Sequence, residues 1–175
     1  MPIWVGGSAP KNIYVGTTAV KKVYCGTKLV WSKEEVKGTW GATEHKYTFA
    51  SNGKGNQYYF LFKISVTAKN YIDNKMSIRI ITYLGSVGTY NIVASTARTG
   101  KVYVNGSSRD TQSYNATVNA GKSKQIGDNG WGNIAAPGST VKIKATIPLQ
   151  VTISDGVGKV GDISVPEFTY TLPSM

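Results

Sequence analysis

The stretch Gln57-Tyr58-Tyr59-Phe60-Leu61-Phe62-Lys63-Ile64-Ser65-Val66-Thr67-Ala68 decides the fold. Tyr58, Phe60, Phe62, Ile64, Val66 and Ala68 fall on one side of an extended chain, and Lys63, Ser65 and Thr67 on the other. A period of two, carried by aromatic and β-branched residues, marks a strand with one buried face; a helix would space its apolar residues three and four apart. The same pattern recurs downstream. Met76, Ile78 and Ile80 alternate with Ser77, Arg79 and Ile81 in a strand running to Tyr83, after a turn at Asp73-Asn74. Lys101-Val102-Tyr103-Val104 runs into Asn105-Gly106, a pair that tolerates the positive φ of a two-residue hairpin. Tyr114, Ala116 and Val118 alternate, as do Val141, Ile143, Ala145 and Ile147 with Lys142, Lys144 and Thr146.

Val151 to Ile153, Ile163 to Val165 and Phe168 to Leu172 complete the strands. Ser51-Asn52-Gly53-Lys54-Gly55-Asn56 reads as a hairpin loop, and Asp128-Asn129-Gly130-Trp131-Gly132 as a loop with Trp131 exposed at its tip. No stretch has helical periodicity beyond a couple of turns. Many short strands separated by glycine and asparagine turns predict an all-β chain, with an antiparallel, immunoglobulin-like β-sandwich over residues 39–175. A closed barrel has the same sequence signature.

The amino-terminal residues are written differently. Ile3-Trp4-Val5-Gly6, Ile13-Tyr14-Val15-Gly16 and Val23-Tyr24-Cys25-Gly26 open three ten-residue units, each with a β-branched residue, an aromatic and a glycine in fixed places. Gly16-Thr17 and Gly26-Thr27 supply turns, so residues 1–32 are predicted to form a small β-meander. Two or three bare strands are marginal in water, so this unit needs a surface to rest on. The charge-dense tract Lys33-Glu34-Glu35-Val36-Lys37-Gly38 reads as a linker between the two parts.

Composition fits this division. Hydrophobic residues make up 41% of the 175 and charged ones 17%, which describes a folded chain, and eleven tyrosines and twenty glycines favour sheet over helix. The formal net charge is +11, and the first 33 residues hold Lys11, Lys21, Lys22, Lys28 and Lys33 with no acid. That balance attracts polyanions or an acidic partner, although no run exceeds two consecutive basic residues, which weakens a nucleic-acid reading. Met1-Pro2-Ile3-Trp4 lacks the pattern of a signal peptide, and no stretch approaches the length of a membrane helix.

Reactive groups do not converge. The single histidine, His45, follows Glu44 but has no Gly-x-Ser-x-Gly elbow to serve. The nine acids are scattered; Asp73, Asp110, Asp128, Asp155 and Asp162 sit beside turn-forming residues, with no calcium-loop spacing. Cys25 takes the slot of Val5 and Val15 in the sister repeats and reads as a small apolar strand residue. Neither an enzyme nor a cofactor or metal site is expected. Aromatic residues at loop tips suit a glycan surface, for which Trp131, Trp40 and Tyr90 are the candidates, with Tyr103 and Tyr114 as further rings.

The stretch from Lys11 through Ile13-Tyr14-Val15-Gly16, Val20-Lys21-Lys22-Val23-Tyr24 and Gly26 to Val30-Trp31 resembles an amino-terminal module of phage and prophage virion proteins. The ending from Thr146 through Phe168-Thr169-Tyr170-Thr171-Leu172-Pro173 is similar to the strand-rich ends of siphophage tail proteins of Gram-positive hosts. The resemblance implies a virion structural component, on capsid or tail; the repeats, which need a surface to rest on, are expected to dock it on other virion proteins through Trp4, Tyr14, Lys21, Lys22, Tyr24 and Trp31. The expected alternatives are a tail adhesin for a host cell-wall glycan and, further off, a nucleic-acid-binding or host-inhibitory protein. With no heptad repeat and lysines on its edges, the chain is expected to be monomeric alone and multicopy on a particle.

Overall fold

The computed structural model describes residues 13–15, 18–20, 22–32, 35–49, 58–71, 73–88, 91–93, 99–111, 117–148, 151–153, 159–160 and 162–174. All regular elements among them are strands, and every pairing is antiparallel. The stretch that opens the sequence reading forms β6 (Tyr58–Asn70), a central strand flanked by β5 (Glu35–Phe49) and β7 (Lys75–Ser86). With β11 (Ser123–Ala135) beyond β7, these make one four-stranded sheet in the order β11-β7-β6-β5. The second sheet has the order β10-β9-β12-β15, from β9 (Lys101–Val104), β10 (Ser107–Asp110), β12 (Thr140–Ile147) and β15 (Ile163–Thr171).

Alternation along these strands builds the core. Phe60, Phe62 and Val66 of β6, Ile78 and Ile80 of β7, and Val141, Ile143 and Ile147 of β12 are buried in one cluster shared by both sheets. Their intervening residues point outward, as the exposed Lys142, Lys144 and Thr146 show. The arrangement is an antiparallel β-sandwich. A smaller sheet of β8 (Ile92–Val93), β13 (Val151–Ile153) and β14 (Lys159–Val160) is tied to the rest by the bridge between Ile92 and Val118, both buried.

Turns follow their residues. Asn105 (φ 48°) and Gly106 (φ 84°) both take positive φ between β9 and β10, the type I′ signature, and Asn74 (φ 51°) turns the chain before β7.

Side chains close the sandwich along both edges. Where β5 meets β15, the His45 ring stacks on Phe168 at 3.6 Å, and the Tyr170 hydroxyl donates to the Gly41 carbonyl at 2.7 Å. Close by, the Lys69 ammonium donates to the Ser174 carbonyl at 3.2 Å and lies 4.8 Å from the Trp40 ring. Where β11 meets β10, the Trp131 indole N–H donates to the Ser107 carbonyl at 3.2 Å.

Two expectations change here. Asp128 to Gly132 is not a loop: it lies inside β11, where Trp131 pairs with Ile78 on the inner face. Trp131 is therefore 3% exposed and part of the core, and the glycines beside it mark the exposed side of an edge strand rather than a turn. Residues 35–38, read as linker, are strand: Glu35 pairs with Asn70, Val36 with Lys69 and Lys37 with Ala68. Burial of Trp131 makes a quantitative prediction. Trp131→Ala should destabilise the chain by about 3–5 kcal/mol, measured by urea denaturation, whereas an exposed tip residue would change stability by less than about 0.5 kcal/mol.

Candidate docking surface on the amino-terminal hairpins

The meander takes the form of two successive hairpins. β1 (Ile13–Val15) pairs with β2 (Thr18–Val20), and β3 (Lys22–Cys25) with β4 (Lys28–Ser32). In the second, Gly26 (φ 60°) occupies the first turn position while Thr27 does not take positive φ, which fits a type II′ turn and explains the glycine. Each hairpin is a separate two-stranded sheet, and neither joins the ladders of the sandwich.

What the hairpins expose sets them apart. Among the described residues the exposed large hydrophobic side chains are Tyr14 (59%), Val15 (73%), Tyr24 (55%) and Val87. Three of these four belong to the short hairpins. Lys22 and Lys28 are exposed on the same β3–β4 ribbon, with Val23, Leu29 and Val30 half-buried. In register, Tyr14 pairs with Ala19 and Tyr24 with Leu29. Cys25, read as a small apolar strand residue, ends β3 and is exposed.

The structure therefore places Tyr14, Tyr24 and Lys22 on accessible ribbon surface. Trp31 lies in β4, with its backbone paired to Val23. Trp4, Lys21 and Tyr90 lie outside the described residues, as does Tyr114. Of the glycan candidates, Trp131 is core, and Trp40 is half-buried against the core beneath Lys69. Tyr103 is half-buried, with the Lys144 ammonium 5.2 Å from its ring.

The titratable groups are structural in their surroundings. His45 stacks on Phe168, which in turn lies against Phe62, while Glu44, just before it in the chain, faces the other way and pairs with Lys63 at 3.1 Å. Asp128 is no turn residue but accepts from Arg79 through both oxygens, Nε to Oδ1 at 2.6 Å and Nη2 to Oδ2, and the guanidinium holds its carboxyl below the usual range. Among the described residues no three His, Cys, Asp or Glu side chains converge as metal ligands do. No known protein family, curated protein or solved structure matches the chain.

Burial lowers the His45 pKa from its ordinary 6.5. The unfolded chain thus binds a proton more readily than the folded one, so stability falls as pH drops through 6.5 towards the lower folded value and then levels off. His45 is the chain's only histidine, so urea midpoints measured from about pH 7.5 down to about pH 5 should fall in the native protein and stay nearly flat in His45→Phe.

Proposed function

We propose that the protein is a non-enzymatic bacteriophage virion component that docks through its amino-terminal hairpins and displays the β-sandwich outward. The observation that carries this reading is the contrast in exposure: among the described residues the sandwich has its large apolar side chains buried or half-buried apart from Val87, while the hairpins leave Tyr14, Val15 and Tyr24 in solvent. Two-stranded ribbons of three to five residues per strand cannot bury such side chains by themselves. Exposed aromatics are also what dominates the energetics of packed contacts. Lys22 and Lys28 beside them favour an acidic platform and disfavour association with a second copy bearing the same charges. The assignment to a virion rests on the resemblance of the segment from Lys11 to Trp31 to phage docking modules.

A glycan-stacking role at Trp131 has no support, because the ring is in the core. A nucleic-acid role lacks a continuous basic stripe, and several lysines of the sandwich are already engaged: Lys63 with Glu44, Lys101 with Asp110 and Lys142 with Glu167.

Particles assembled with Tyr14→Ser/Tyr24→Ser should carry far less of the protein than wild-type particles, since each lost anchor removes about 2 kcal/mol or more of binding. The unfolding midpoint of the sandwich should stay unchanged. Quantitative mass spectrometry of purified virions reads this out; full occupancy by the variant, or absence of the wild-type chain from particles, contradicts the proposal. Alone at micromolar concentration the chain should scatter light as an 18.8 kDa monomer, and a stable trimer would contradict docking as the route to multiplicity.

A further inference from the structure

β5 departs from regular pairing just where it crosses the middle of β6. Its register shifts between Lys37 and Trp40 and again between Trp40 and Thr43, which takes residues 38–39 and 41–42 out of one-to-one pairing. Such bulges bend a strand and re-aim its side chains. Here they open a concavity of about 310 Å³ on the outward face of the sheet, lined by Thr39, Thr43, Glu44, Lys63, Ser65 and Ile81 among others.

The bulge is held from behind. Gly41 takes φ 56°, its carbonyl accepts the Tyr170 hydroxyl, and a Cβ at this position would crowd that oxygen and the Pro173 ring. The concavity is thus fixed by the seam between the two sheets and needs no closure to form.

Its chemistry is specific. Ile81 supplies apolar surface, Thr39, Thr43 and Ser65 are among the lining residues, and the Glu44–Lys63 pair contributes acceptor oxygens and ammonium donors side by side, both about half exposed. Tyr83 flanks Lys63, whose ammonium lies 5.5 Å from the ring. Arg79, which pairs with Ser65 across β6 and β7, is held by Asp128 and adds no free cation.

A free anion would meet the Glu44 carboxylate, and an apolar ligand would strand the ion pair without water. A neutral, hydroxyl-rich ring satisfies both partners, because adjacent hydroxyls donate to Glu44 and accept from Lys63 while ring C–H groups cover Ile81. The concavity is shallow and open to solvent, with room for one ring and not for an extended chain. We infer that this recess is a binding site for one unit of a neutral saccharide, distinct from the docking hairpins and independent of their role.

The test uses the full chain, labelled with ¹⁵N and titrated with maltotriose, cellotriose and chitotriose, with a glycerol-phosphate teichoic acid as the anionic comparison. At least one neutral probe at millimolar concentration should shift the amides of Thr39, Thr43, Glu44, Lys63, Ser65 and Ile81 together. Glu44→Gln should weaken that probe about tenfold, the loss of a charge-assisted hydrogen bond, with the unfolding midpoint preserved. Gly41→Ala, which alters the bulge and no lining group, should weaken it as well. Three results would overturn the inference: no neutral probe moving those amides, shifts unchanged in Glu44→Gln, or a recess that responds to the teichoic acid alone.

Discussion

Two four-stranded sheets, each with one apolar face, can be stable only if those faces are buried against each other. Phe60 and Phe62 on β6, Ile78 and Ile80 on β7, and Ile143 and Ile147 on β12 meet that requirement, each at 0% exposure. Each such side chain contributes about 1.5–3 kcal/mol relative to exposure. Among the described residues the cross-strand ion pairs, Lys63–Glu44, Arg79–Asp128, Lys101–Asp110 and Lys142–Glu167, are largely exposed, and water screens pairs of that kind so that they add little to stability. Packing therefore decides the fold. The edge contacts then fix how the faces meet: Trp131 on Ser107 at one edge, and His45, Tyr170 and Lys69 at the other.

The hairpins stand outside this arrangement. They share no ladder with the sandwich, and Tyr14 and Tyr24 are exposed on them. The described large apolar residues of the sandwich, by contrast, are buried or half-buried apart from Val87. Under the proposed function the sandwich supplies stability and a displayed surface, and the hairpins attachment.

Much of the sandwich was legible in sequence because alternation is a local signal. β6, β7, β9 and β12 fall where the period of two lies, and Asn105-Gly106 turns as its chemistry requires. The misreadings have a common cause. Asp128, Asn129 and the glycines around Trp131 have turn chemistry, but pairing with β7 and the Arg79 ion pair overrode local propensity. The early start of β5 at Glu35 and its two bulges depend on partners on β6 and β15, far away in sequence. The recess they create was therefore invisible, since its lining comes from three strands brought together by register. The hairpins themselves were legible from the ten-residue repeat, but the exposure of Tyr14 and Tyr24 was not, because the repeat does not say whether the rest of the chain covers them.

The central claim is that one cooperative sandwich carries hairpins that contribute nothing to its stability until a partner covers them. Native-state hydrogen exchange on the isolated full chain tests it most directly. Amides of β6, β7 and β12 should exchange only through global unfolding, while those of β1 to β4 exchange with little protection. Equal protection of the β3–β4 amides and the β6 core in the absence of any partner would contradict the account.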